Sequence, residues 1–155
     1  MISLNIVLRL EFLTTKITTP MDNVSSKQRS INMSRVKGKN TRPEMTIRSL
    51  LHKMGYRFRL HNKKLPGNPD IILPKYKTII FVHGCFWHQH EGCRKATIPQ
   101  TNTDFWKIKL SKNVSRDSQN NDKLISLGWK VVIIWECELK NIEPLKNRIK
   151  KILIL

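Results

Sequence analysis

Apolar positions along the chain follow two periods, and the switches between them mark the elements. Ile47, Leu50, Leu51 and Met54 recur at i, i+3, i+4 and i+7, which gives a helix one buried face. Its start is written in Asn40-Thr41-Arg42-Pro43-Glu44, with capping side chains, a proline in the first turn and an acid near the positive end of the dipole. Gly55 closes it. Tyr56 to Leu60 alternates apolar or aromatic residues with Arg, the pattern of a half-exposed strand. Leu65-Pro-Gly-Asn-Pro is turn chemistry, and Asp70 then leads Ile71-Ile-Leu73. Pro74-Lys-Tyr-Lys turns the chain into the β-branched run Thr78–Val82, so the two runs form a hairpin of buried strands.

The second half is helix, strand, helix. Thr103 or Asp104 caps a long helix with Trp106, Leu110 and Val114 along one face and Lys107, Lys109, Lys112 and Arg116 on the wet side. Polar residues at Ser118–Asp122 are expected to kink or break it before Leu124 to Leu127, and Gly128 stops it. Trp129 to Trp135 is an apolar run of strand length with Cys137 just beyond its end. Residues 141–153 form a last helix through Ile142, Leu145, Ile149 and Ile152. The order is αβββαβα. The strand–helix–strand crossover makes Thr78–Val82 and Lys130–Trp135 parallel neighbours, with their C-terminal ends on one edge. That placement brings Cys137 beside Cys85.

Ahead of the first long helix the pattern dissolves. Residues 21–42 are polar and basic, with a short helix expected around Lys27–Met33 and Gly38 separating it from the long helix. Met1 to Phe12 is apolar but broken by Arg9 and Glu11. This stretch lacks the basic start and small-residue cleavage site of a secretory leader. Met21 opens a polar stretch that reads as a natural beginning, so residues 1–20 are expected to be an upstream start or a poorly ordered extension.

Charge changes the picture most. The 155 residues carry 29 Lys and Arg against 11 Asp and Glu, a net +18, which in a chain of one domain's length is the footprint of a phosphate-bearing partner. No apolar run approaches the roughly 20 residues of a membrane span. Three cysteines, an odd count, argue against a disulfide framework and for an intracellular metal site.

The candidate chemistry is concentrated after the central strand, where His83-Gly-Cys-Phe-Trp-His-Gln-His-Glu-Gly-Cys93 holds three His and two Cys. Cys85, Cys93 and Cys137, with His88 or His90, supply a tetrahedral zinc site that is structural because no position stays open. Asp70 is a candidate Mg²⁺ ligand for phosphodiester cleavage, with a free His to deprotonate water. Glu44 has a plain alternative as a partner of the helix dipole. Phe86 and Trp87 either pack on the zinc site or stack on bases, and Ile31 or Met33 in the arm could wedge between base pairs. Lys112, Asn113 and Arg116 either read DNA or form a solvated helix face.

Four stretches in order resemble the very short patch repair endonuclease family: Pro66-Gly-Asn-Pro-Asp70, Phe81-Val-His-Gly-Cys-Phe-Trp-His-Gln-His90, Phe105-Trp106 with Lys112-Asn-Val-Ser-Arg-Asp117, and Gly128-Trp-Lys-Val-Val-Ile-Ile-Trp-Glu-Cys137. The resemblance spans about residues 25–140. It implies a restriction-endonuclease-like α/β core, a mixed central sheet flanked by helices, with a structural zinc site. It divides the chain into an extension at 1–20, a DNA-binding arm at 21–42 and an endonuclease domain at 43–155. The implied activity is Mg²⁺-dependent nicking 5′ of the T in T:G mismatches left by 5-methylcytosine deamination. The expected partner is double-stranded DNA, met by a monomer in the bacterial cytoplasm at the nucleoid, with recruitment of other mismatch repair proteins left open.

By the same resemblance Asp70 binds Mg²⁺, His88 is the general base, and Glu44 and His83 support them. Cys85, His90, Cys93 and Cys137 hold Zn²⁺, while Met33, Phe86 and Trp87 enter the base stack. The chain departs from the family in two places and from the wider fold in one. Val82 stands where Thr is usual, so a metal contact there is expected through its backbone carbonyl. The loop from Cys85 to Cys93 is one residue longer, and the Glu-x-Lys of the wider fold is missing, a role a His base would fill. The rivals are a related nuclease with another DNA target and a noncatalytic zinc-containing nucleic-acid binder.

Overall fold

The computed structural model describes residues 25–34 and 38–154. The extension expected at 1–20 lies outside the described residues, as do Arg35 and Lys37 of the arm. Helix α1 (Ser26–Ser34) is the expected short helix, with Lys27 and Met33 exposed. Helix α2 (Arg42–Lys53) opens on a full capping box: Glu44 donates its backbone N–H to Thr41, and the Glu44 carboxylate accepts from the Thr41 N–H. It ends where Gly55, at φ +86°, lets the N–H groups of Gly55 and Tyr56 reach back to the carbonyls of His52 and Leu51.

The sheet has three strands in the order β1 (Ile71–Leu73), β2 (Thr78–His83), β3 (Lys130–Trp135). β1 runs antiparallel to β2, and β2 parallel to β3, with Thr78 opposite Lys130 and His83 opposite Trp135. The crossover expected from the sequence is α3 (Thr103–Ser126), and α4 (Ile142–Ile152) follows β3. Alternate residues on the strands face opposite layers. Ile71, Leu73, Ile80 and Ile134 pack with Ile47 and Leu51 of α2 and Leu145 and Ile149 of α4. On the other face Ile72, Ile79 and Phe81 pack with Leu124 of α3. Helices on both faces explain why the strands read as continuous apolar runs rather than alternating ones. Among the described residues, no helix is long and apolar enough to cross a membrane.

Three expectations are corrected. Tyr56–Leu60 is not a strand; it makes one bridge, Arg59 opposite Ile72, with N–H···O distances of 2.8 and 2.9 Å. β1 is only three residues long, ended by Pro74, so the neighbouring segment has little edge to pair with. Helix α3 runs unbroken through Ser118–Asp122. Its polar residues there are no breaker, because Asp117, Asn120 and Asn121 face a cleft rather than the core. Val114 is exposed, while Trp106, Leu110 and Leu124 carry the buried face.

The turn before β1 ties that strand to α3. Gly67 sits at φ +72°, and a Cβ there would stand 3.1 Å from the Phe81 ring and 3.2 Å from Asn120. Gly67→Ala is expected to cost about 2 kcal/mol of stability, read as a lowered urea midpoint with unchanged slope.

Candidate active site and metal centre

Parallel pairing of β2 and β3 ends both strands on one edge, and both candidate centres sit there. After His83 the chain coils tightly: the His88 N–H donates to the Gly84 carbonyl at 3.2 Å and the His90 N–H to the Cys85 carbonyl at 3.0 Å. This turn separates the loop's side chains, sending His88 toward a cleft and Cys85 and His90 toward the end of β3.

The cleft, about 870 Å³ in volume, is lined by Asp70, His83, His88 and Asp117 among others. Asp70 precedes β1, and its carboxylate accepts the Val82 N–H at 2.8 Å. Burial raises its pKa; the Val82 bond opposes this and the nearby Glu44 adds to it. Glu44 is nearly inaccessible, and all four of its acceptor positions are used. It receives the N–H groups of Asn40 and Thr41, the Thr41 hydroxyl and, at 2.7 Å, the guanidinium of Arg48. Glu44 therefore keeps no free lone pair for direct metal binding, and the helix-start role read from its sequence position is the one its geometry displays. Arg48, also buried, further donates to Asn40 at 2.7 Å and meets His61 Nε2 at 3.0 Å.

His83 and His88 stack face to face, centroids 3.7 Å apart and planes 11° from parallel. His88 Nδ1–H donates to Asp117 at 2.5 Å. That bond makes Nδ1 the donor, so in the neutral ring the lone pair sits on Nε2. Burial would raise the Asp117 pKa, but the bond to His88 and the neighbouring positive groups outweigh it, and the net shift is downward. Burial, then the His88 charge, lowers His83 to about 4. A ring held in its neutral form thus lies against the imidazole that Asp117 orients.

The second centre gathers Cys85, His90, Cys93 and Cys137, whose candidate ligand atoms lie within 4.8 Å of one another. His90 Nδ1 is 3.6 Å from the Cys85 sulfur and 3.3 Å from that of Cys137. A tetrahedron built on Zn–S of about 2.3 Å and Zn–N of about 2.0 Å has N···S edges near 3.5 Å, so the donor set fits zinc. The three thiols are free of disulfides. Burial pushes Cys85 up to about 12, whereas backbone hydrogen bonding near Lys95 lowers Cys93; a cation would be needed to make the first a thiolate. Trp135 joins the two centres, stacked on His90 at 4.2 Å and edge-on to His83 at 5.4 Å.

Candidate DNA-contacting residues divide between the loop, α3 and α1. Phe86 and Trp87 meet edge-on at 5.0 Å, and both touch the buried Trp106, at 5.4 and 6.1 Å. Asn113 Nδ2 donates to the Trp87 carbonyl at 3.1 Å, so Asn113 braces the loop. Arg116 lines the cleft, Lys112 is exposed beside it, and Met33 is exposed on α1 outside the cleft lining. Sequence reasoning assigned no role to Asp117, Asn120, Arg48 or His61. The first two were signalled: Asn113, Asp117 and Asn120 fall at i, i+4 and i+7, a polar face on a helix that needs no such face unless it lines a cleft. Arg48 stands one turn after Glu44, an i, i+4 pair, and nothing local marked His61.

The sequence pattern of a family described as DNA mismatch endonuclease Vsr matches residues 21–95. The type II nicking enzyme V.XorIIP of Xanthomonas oryzae pv. oryzae is 47% identical over 132 residues, covering 85% of this chain and 96% of the relative. The DNA mismatch endonuclease Vsr of Escherichia coli is 44% identical over 119 residues, 77% of this chain and 76% of that protein. Among solved structures, the catalytic domain of the homing endonuclease I-Bth0305I is similar at a TM-score of 0.51 and 26% identity, covering 73% of this chain and 94% of that one.

His83 makes folding sensitive to acid. The unfolded imidazole binds its proton near pH 6.5 and the folded one near 4, so the unfolded chain holds more protons between those values. The His83 contribution is complete above about pH 6.5 and is lost as pH falls toward 4. Between pH 7.5 and 5 its share is on the order of 2 kcal/mol. Urea unfolding at the two pH values should show this loss in the wild type and a smaller one, by that amount, in His83→Gln.

Proposed function

This chain belongs to the Vsr family of DNA mismatch endonucleases, and from that membership we propose that it nicks DNA on the 5′ side of the T in a T:G mismatch. It is an endonuclease of very short patch repair, hydrolysing a phosphodiester bond. The lesion it addresses is the one left when 5-methylcytosine deaminates. Support for the finer reading comes above all from the His88–Asp117 pair set beside Asp70 in one cleft.

Asp70 and the backbone carbonyl of Val82 are the groups proposed to hold Mg²⁺. One buried carboxylate with the rest of the shell from carbonyl, phosphate and water oxygens suits that ion. When bound it supplies charge to the scissile phosphate and to the departing oxygen. The Val82 backbone N–H positions the Asp70 carboxylate, a contact that does not depend on the side chain at this position. His88 Nε2 takes a proton from the attacking water as its oxygen bonds to phosphorus and the bond to the 3′ oxygen breaks; solvent returns a proton to that oxygen. Asp117 stabilises the imidazolium formed, and His83 stays neutral against it. Glu44 acts at one remove, holding the start of α2 and its charge close to Asp70.

Cys85, His90, Cys93 and Cys137 are proposed to bind a structural Zn²⁺ that joins the loop to β3, on a core of the restriction-endonuclease-like kind. Phe86 and Trp87, supported by Trp106, are proposed to enter the base stack, with Met33 from the arm as a further wedge. Lys112, Asn113 and Arg116 belong to the same DNA-facing side. The protein is proposed to act as a monomer on chromosomal DNA in the bacterial cytoplasm.

Nicking of a labelled duplex with one T:G mismatch tests the reading directly. Asp70→Ala should lose at least about a hundredfold in rate while binding the duplex within a few-fold of wild type. Equal cleavage of matched T:A duplexes would remove the mismatch assignment. Native mass spectrometry should find a single zinc per chain, absent in Cys137→Ala together with a lower thermal midpoint; a full zinc complement in that variant would remove the ligand assignment.

A further inference from the structure

Two of the most exposed large apolar side chains stand on the helix that walls the cleft. Phe105 is 57% exposed and Ile108 56%. Continuing by steps of three and four residues, the same face of α3 carries Lys109, Lys112 and Arg116. Lys109 and Arg116 line the cleft. Phe105 is held in place: its ring meets the buried Trp106 edge-on at 5.3 Å, and Trp106 in turn supports Phe86 and Trp87. The strip is therefore cationic at one end, apolar at the other, and continuous with the aromatic pair beside the cleft.

The three cations commit this strip to a phosphate-bearing partner, and its continuity with the cleft makes that partner the substrate duplex. Phosphates give Phe and Ile nothing to pack against. The apolar group that a duplex offers to a helix in the major groove is the C5-methyl of a pyrimidine. Phe105 and Ile108 are three residues apart, roughly 4.5 Å along the helix axis, a spacing that lets both touch one such group.

We propose that the first turns of α3 enter the major groove beside the mismatch, where Phe105 and Ile108 pack on the C5-methyl of one flanking pyrimidine. The enzyme then prefers thymine or 5-methylcytosine to its unmethylated counterpart at that position. This rests on the reading that DNA lies across the cleft, but it concerns binding and can be read without cleavage.

The test is a scan of T:G duplexes in which each flanking thymine is replaced by uracil and each flanking 5-methylcytosine by cytosine, the mismatched T left unchanged. Affinity is measured by fluorescence anisotropy without divalent metal, and nicking with Mg²⁺. At one position, or two adjacent ones, removing the methyl should weaken wild-type binding about fourfold, the worth of one buried methyl-sized group. Ile108→Ala and Phe105→Ala should each bring that ratio toward one, while Val114→Ala, exposed on another face of the same helix, preserves it. A flat scan, or a ratio that survives in both variants, overturns the proposal. So does an affinity loss in the variants that is equal with and without the methyl. A methyl-dependent affinity with no mismatch nicking would sink the cleavage reading and leave this contact standing.

Discussion

Thr78 lies opposite Lys130 and His83 opposite Trp135 in a parallel register, and the site depends on that pairing. Parallel neighbours require a crossover, here the 24-residue α3, and they end on the same edge of the sheet. The shared edge delivers Cys137 to the candidate ligands of the loop after β2. The crossover makes α3 itself a wall of the cleft, which is how Asp117 reaches His88. Had β3 paired antiparallel, its end would lie at the far edge, and neither centre would close.

Within the cleft, burial acts in opposite directions on neighbouring groups. It raises Asp70 and lowers His83, each toward its neutral form, as expected where water is scarce. Specific bonds then decide which charges survive. The Val82 amide works against the rise at Asp70, the His88 ring keeps Asp117 ionised, and Arg48 lies against Glu44 as its counter-charge. The site's acids and bases are separated in character by their second partners, not by their residue types.

Much of this was legible in the sequence. Capping at Thr41–Glu44, the helical spacing of Ile47 to Met54, the buried strands and the crossover all rest on local patterns that tertiary packing reinforces. The four candidate zinc ligands were set out by resemblance, and the geometry gathers them. What was illegible depended on surroundings. Tyr56–Leu60 alternates like a strand, yet pairing needs a partner of matching length, and β1 is too short. Ser118–Asp122 reads as a break only if polar residues on a helix must face bulk solvent; here several of them face a cleft. Asp117 is marked only by the polar face it shares with Asn113 and Asn120, and its particular role lies in a bond to a residue 29 positions earlier.

Trp135 lies between the two centres, one ring face on His90 and its edge toward His83. It belongs to β3, which pairs with a strand about fifty residues earlier in the chain. Protein synthesis proceeds from the N-terminus, so Asp70, His83 and His88 leave the ribosome well before the strand that supports them. A nascent chain stopped short of residue 135 carries the candidate site's side chains without the parallel partner, the ring or the last cysteine that set their geometry. Cutting DNA is hazardous to the cell that makes the enzyme, and this order of assembly withholds the finished candidate centre until β3 has been made.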